Sequence, residues 1–196
     1  MSMLSRAGDL VYAFRFLKLL TTPFPKTKAF KLGIVDKDGK VLKKGKELAT
    51  SEEKAAYTVF HRLVFNIKRL LAKAPGGKTA LATYATALFL IKEHTGMHED
   101  TIVQQIEKYT GEKIELNLDE NTWHMDYEDR LMPGKYMLTK DIYHPKTGEQ
   151  VANIGERVVV NDLLSSAGNF LNINIYKVQH PKTGQDLYIS NRDIIR

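Results

Sequence analysis

The chain contains no cysteine. Disulfide frameworks, thiolate metal sites and cysteine nucleophiles are therefore excluded together, and a reducing compartment fits. Long apolar runs are also lacking. The longest uncharged stretch of this kind, Thr79–Ile91, has 13 residues, whereas a membrane span needs about 20. The earlier stretch Leu10–Leu20 is interrupted by Arg15 and Lys18 and preceded by Asp9, which does not suit the apolar core of a secretory signal. The expectation is a soluble, cytosolic protein without a membrane partner.

Catalytic signatures are missing as well. No G-x-S-x-G, H-E-x-x-H or G-x-G-x-x-G string occurs. Gly77-Lys78-Thr79 resembles the end of a phosphate-binding loop, but Ala72 stands where that motif needs its first glycine, and a helix rather than a strand precedes it. Asp36, Asp38 and Gly39 look like part of a calcium loop, yet lysines and apolar residues occupy most of the remaining ligand positions. His94 and His98 stand one helical turn apart, but Thr95-Gly96 between them ends the helix. His124, Asp126, Glu128 and Asp129, with Asp119 and Glu120 upstream, offer hard-cation ligands whose convergence nothing in the sequence dictates. The expectation is a chain that is not an enzyme and holds no metal or cofactor.

What is present is a globular composition with an uneven charge. Apolar residues make up 43% and charged residues 27% of 196, enough for one domain or two small ones and unlike disordered or collagen-like chains. The net charge of +6 hides a split. Residues 1–92 carry 18 Lys and Arg against 6 Asp and Glu, residues 93–135 carry 4 against 11, and residues 136–196 carry 7 against 6. A basic half followed by an acidic stretch points to electrostatic partners, on other molecules or on the chain itself.

The first half has helical periodicity. Asp9 is expected to cap a helix carrying Leu10, Ala13, Phe14, Leu17 and Leu20, ending near Thr21–Thr22 before Pro23. Ala29–Val35 reads as a strand, Asp36-Lys37-Asp38-Gly39 as a turn and Val41–Leu42 as the return strand. Thr50 or Ser51, with glutamates following, resembles a capping box that opens a helix running to Pro75-Gly76-Gly77. Thr79–Lys92 is apolar nearly all round, the mark of a central helix, and Gly96 closes it. Glu99–Tyr109 is a fourth helix, stopped by Gly111. A short strand is possible over Lys113–Asp119, and Met132-Pro133-Gly134 is the best boundary.

Beyond that point the period changes to two. Tyr136–Tyr143, Gln150–Ile154, Arg157–Val160, Leu171–Gln179 and Asp186–Ser190 are strand candidates, and Ser190–Ile194 looks like a one-turn helix. His-Pro-Lys-Thr-Gly occurs at 144–148 and again at 180–184. Both copies read as hairpin turns in which proline fixes one backbone angle and glycine supplies a positive one. The fold class is α+β: a helical domain over 1–111 with a β-hairpin at 29–43, an acidic linker over 112–134, and a small SH3-like β-barrel or rolled-sheet module over 135–196.

Two sets of side chains are candidate binding residues. Arg62, Asn66, Arg69 and Lys73 lie on one helical face, with Lys68 nearby. Arg62, Arg69, Lys73 and Lys78, together with the hairpin lysines Lys43 and Lys44, form a basic surface for nucleic-acid phosphates or an acidic protein partner. Trp123 and Tyr127 are candidate anchors of an acidic arm that docks on a basic surface.

Several strings together resemble head-assembly proteins of the prohead-core or scaffold type from large contractile-tailed bacteriophages. They are Ser5–Tyr12 running into Phe16–Phe24, Ala29–Asp36, Ser51–Lys54, Phe60–Leu71 and Ala87–Glu93. They cover about half the chain, all in its helical part. The resemblance implies a virion structural protein, located in the virion or in the host cytoplasm during assembly. Capsid, neck or core proteins are the implied partners, a homo-oligomer is possible, and no catalytic residues carry over. The alternative, from the basic helix face, is an accessory protein that binds DNA.

Overall fold

The computed structural model describes residues 3–73, 84–111, 113, 125–126 and 128–196, with the backbone alone for 3–10. Helices fill the N-terminal half and three small antiparallel sheets the C-terminal half, an α+β fold. The helices are α1 (Met3–Thr21), α2 (Lys28–Lys31), α3 (Ser51–Ala56), α4 (Val59–Lys73), α5 (Ala85–Thr95) and α6 (Glu99–Thr110). The strands are β1 (Gly134–Leu138), β2 (Ile142–Tyr143), β3 (Gln150–Ala152), β4 (Arg157–Val160), β5 (Gly168–Phe170), β6 (Ile173–Gln179), β7 (Asp186–Ser190) and β8 (Ile194–Ile195). They pair as β4-β1-β8, β2-β3 and β5-β6-β7, and no closed barrel forms among the described residues.

Helix ends follow local chemistry. At α3 the Thr50 hydroxyl accepts from the Glu53 N–H, and the Glu53 carboxylate accepts from the Thr50 and Ala49 N–H groups. This reciprocal box satisfies donors that a helix start leaves open. Gly96 and Gly111 end α5 and α6 in the left-handed region, at φ 71° and 75°, which costs glycine little. α1 ends at Thr21, ahead of Pro23, as the sequence predicts.

Six local expectations are corrected. α1 starts at least six residues before Asp9, because the residues ahead of Asp9 include good helix formers and no proline. The strand expected over 29–35 is instead the end of α2 followed by a turn at 32–34. Thr27 caps it, accepting from the Phe30 N–H at 3.2 Å, so the chain coils before it can extend. Only Val35 and Val41 bridge across the turn, so the hairpin at 29–43 is reduced to a single bridge. The helix expected from 51 to 75 is two helices. Tyr57 leaves helical geometry at φ −139°, and Thr58 restarts the chain by bonding His61 Nδ1 at 2.7 Å. Tyr136–Tyr143 is divided into β1 and β2. Finally, the one-turn helix expected at the C-terminus is a turn leading into β8, in which Ile194 is buried and Ile195 exposed.

That last turn exists because Asp193 is fully buried. Its carboxylate accepts from the Ser190 N–H at 2.6 Å, from the Ser190 and Thr86 hydroxyls, and pairs with Lys140 Nζ at 2.5 Å. A buried carboxylate is stable only when bonded in this way, and here the bonding ties α5 to the sheets.

Packing joins the two halves. One core cluster combines Phe16, Leu63, Ile67, Leu88 and Ile91 of the helices with Tyr143, Phe170, Ile173 and Ile175 of the sheets. A second lies within the sheets around Tyr136, Tyr176 and Leu187. A third packs Phe24, Ile34, Leu48, Tyr57 and Phe65 under the 23–48 segment. Secondary structure thus changes type near Met132–Gly134, but the largest core runs across that point. α4 contributes to two of these clusters, so Leu63 to Lys68 are all buried.

Thr50→Ala should lower stability by about 1 kcal/mol, as loss of a helix cap does. Glu53 gives a pH signature. Its carboxyl is held down to about 2, from an ordinary 4.5, chiefly by the Thr50 N–H and then by Lys43 and the Ala49 N–H. A depressed carboxylate stabilises fully above the unfolded value, and that contribution disappears as pH falls toward the folded value. The difference in urea-unfolding free energy between the parent and Glu53→Gln should therefore shrink between pH 4.5 and about 2. A difference that stays constant over that window would show that the box does not act through the charge.

Candidate functional site

α4, the 36–47 segment and the β2–β3 hairpin enclose a groove of about 1070 Å³. Its lining carries seven Lys and Arg against four Asp and Glu. The hairpin is the element that closes it, and its shape comes from the first His-Pro-Lys-Thr-Gly copy. The His144 N–H donates to Glu149 O at 2.7 Å, and the Gly148 N–H to His144 O at 2.8 Å. His144 Nδ1 accepts from the Lys146 and Thr147 N–H groups, and the Thr147 hydroxyl accepts from the Glu149 N–H. The copy at 180–184 repeats every one of these bonds with Lys182, Thr183 and Gln185. Gly148 and Gly184 take φ 65° and 68°. The expected paired turns are present, and His144 and His180 shape them through Nδ1 as the acceptor.

The copies differ in what they touch. A side chain at Gly184 would meet nothing within 4 Å. One at Gly148 would lie 2.9 Å from Arg62 Cβ and 3.1 Å from Val59 O, because this turn is pressed onto α4. Arg62 Nη1 donates to Thr147 O at 2.5 Å, and the Arg62 guanidinium lies over the Tyr57 ring at 5.2 Å. Glu149 accepts from the Gly45 N–H at 2.6 Å, drawing the 44–47 loop to the same point. Glu149 is where the two copies diverge, since Gln185 follows the second, and that difference was visible in the sequence.

Two turns along α4, Arg69 donates to Gly39 O at 2.7 Å and to the Tyr143 hydroxyl at 3.0 Å. One planar guanidinium thereby joins the 36–40 turn to β2. Lys68 is buried, donates to Leu19 O and Thr22 O, and lies 4.5 Å from the centre of the Phe24 ring. It neutralises the carbonyl end of α1, and burial pulls its ammonium down to about 8. Burial likewise pushes the Tyr57 hydroxyl up to about 12. Of the three tyrosines that line the groove, Tyr57 and Tyr143 are buried and Tyr109 is half-buried.

The basic set named from the sequence therefore divides. Arg62 and Arg69 line the groove but are engaged by backbone carbonyls. Lys44 and Lys73 line it and are exposed. Lys43 pairs with Glu53 at 2.9 Å and is not part of the lining. Asn66, expected on the same face, is buried, because α4 packs on two sides there. Lys37 and Lys40, which belong to the same lysine-rich turn as Lys43 and Lys44 in the sequence, also line the groove. Lys78, Trp123, Tyr127 and His124, the 113–119 strand beyond Lys113, and the 75–79 loop lie outside the described residues.

The metal candidates are engaged otherwise. Asp36 accepts from the Asp38 and Lys40 N–H groups at 2.9 and 2.8 Å. Asp126 accepts from the Glu128 and Arg130 N–H groups and pairs with the Arg130 guanidinium at 2.7 Å. Among the described residues, no three His, Asp or Glu side chains are grouped to hold an ion. No helix among them is long and apolar enough to cross a membrane. Comparison with known protein families, with curated proteins and with solved structures finds no match for this chain.

The paired turns provide an internal control. Gly148→Ala and Gly184→Ala both force an L residue into the left-handed region, costing about 1–2 kcal/mol each. Only Gly148→Ala also meets α4, so its loss of stability should exceed that of Gly184→Ala. Thermal or urea unfolding of the two variants decides this, and equal losses would mean that the hairpin does not press on α4.

Proposed function

We propose that this chain is a non-enzymatic structural or head-assembly protein of a bacteriophage, acting through protein–protein contacts in which the groove is the docking surface. The observation that carries this reading is the division of the groove's cations. The guanidinium groups are bonded into the walls, while Lys40, Lys44 and Lys73 stand exposed, with no ion pair among the described residues. Walls that are fixed before binding do not have to be ordered by it, and rim charges select and steer an oppositely charged partner. The helical strings that resemble phage head proteins include Phe60–Leu71, which lies in the helix carrying Arg62 and Arg69. Repetition of one modest contact by symmetry stabilises an assembly without any single strong site.

The nucleic-acid reading is the weaker of the two. Single-strand binders present exposed aromatic rings for base stacking, whereas two of the groove's three tyrosines, Tyr57 and Tyr143, are buried beside bonded arginines and the third, Tyr109, is half-buried. Phosphate binding by lysines alone would lose affinity steeply between about 50 and about 200 mM salt.

Co-expression with the capsid, neck and core proteins of the same particle, followed by sizing chromatography, tests the proposal. A complex is expected with one of them. The combined variant Lys40→Glu, Lys44→Glu, Lys73→Glu should weaken it at least about tenfold while leaving thermal stability unchanged. A chain that stays monomeric with every virion protein, or that binds duplex DNA with a steep salt dependence, would overturn it.

A further inference from the structure

We propose that the outer face of the β4-β1-β8 sheet is a second docking surface, which takes a partner helix whose apolar stripe is flanked by carboxylates. Register and burial define the face. Lys135 lies opposite Val159, and Met137 lies opposite Arg157 on β4 and Ile195 on β8. Opposed residues share a face, as do residues two apart on one strand, so these five side chains stand together. All five are exposed. The alternate residues Tyr136, Leu138, Val158, Val160 and Ile194 are buried in the sheet core beneath them. None of the five lines the groove, so docking here is independent of docking there.

The free side of an antiparallel sheet is ordinarily polar. Here Met137, Val159 and Ile195 are 38%, 40% and 44% exposed, and the other two positions are cations. Val159 is the diagonal neighbour of Met137 and Ile195 its direct neighbour. Side chains so placed are within reach of one another, and the three form one band across the three strands. Arg157 lies on one side of that band and Lys135 on the other. Neither has an ion pair among the described residues. Three strands at about 4.8 Å spacing make a face about 10 Å wide, the breadth of a single helix. A helix laid along the band buries its stripe there and sets acidic side chains against a cation on each flank. A second copy meeting this face with its own would bring cations onto cations, which is unfavourable. An anionic membrane shares the charge, but membrane interfaces favour Trp and Tyr, and the face carries no aromatic ring.

The test uses a stapled helical peptide of about 14 residues, with a Leu stripe flanked on both sides by Glu, titrated into the methyl-labelled full chain and read by NMR. Saturable shifts of the Met137, Val159 and Ile195 methyl resonances are expected. A peptide with the same stripe and Lys in place of every Glu should bind at least about tenfold more weakly. The double variant Lys135→Glu, Arg157→Glu should reverse that order, with circular dichroism and thermal unfolding as in the parent. The groove variant Lys40→Glu, Lys44→Glu, Lys73→Glu should bind the Glu peptide as the parent does. Equal affinity for the two peptides overturns the proposal, as does the absence of any shift at millimolar peptide. Shifts confined to Val41 and Leu42 place the helix in the groove and overturn it too. So does concentration-dependent dimerisation that the double variant abolishes, or binding to phosphatidylserine vesicles when neither peptide binds. None of these outcomes decides the groove, whose own triple variant tests it against virion proteins.

Discussion

Two guanidinium groups on one face of α4 hold the groove together. Arg62 reaches Thr147 O and Arg69 reaches Gly39 O, so each arginine holds a loop that lies far away in sequence. A carbonyl bonded to a charged donor is costly to leave unmade once buried. The planar fork of Arg69 serves a second acceptor, the Tyr143 hydroxyl, which a lysine in that place would not do with the same geometry. The His144 turn, the Gly45 loop and the 36–40 turn therefore have fixed positions relative to α4. Glu149 on the Gly45 amide closes the remaining side.

Positive charge consequently has two uses in this molecule. Arg62, Arg69 and Lys68 are bonded to carbonyls and stacked near Tyr57, Tyr143 and Phe24, where their charge maintains structure. The rim lysines remain solvated, and their field extends only about a Debye length, ~8–10 Å at physiological salt. Rigid walls with solvated charges around them suit a surface that selects a partner by sign and shape. Asp38, Glu47, Asp141 and Glu149 temper this field locally, and three of them are occupied by amide hydrogens.

The groove can lie between helices and sheets because those parts share a core. Phe89 of α5 packs so closely on β5 that a side chain at Gly168 would come within 2.8 Å of its ring. The ring also meets Tyr188 of β7 at 5.9 Å. Asp193 adds a buried polar link through Thr86 and Lys140. Close packing of this kind transmits position from one half to the other, so the β2–β3 edge and the α4 face keep their spacing.

Features that depend on a few neighbouring residues were legible in the chain itself. The Thr50–Glu53 box, the Gly96 and Gly111 stops, the buried run of α5 and the two repeated turns all follow from local hydrogen bonding and side-chain period. Features that depend on distant partners were not. α2 takes the start of the expected strand because Thr27 caps it, and across the turn only Val35 and Val41 form a β-bridge. β8 forms because β1 lies beside it and Asp193 is buried beneath it. Which cations are bonded and which are free was equally invisible, since Arg62 and Arg69 find their partners 85 and 74 residues away. The sequence by itself determined where helices cap and turns reverse, through contacts a few residues long. Tertiary structure decided which charges face solvent, because burial and long-range pairing exist only once the chain has closed on itself.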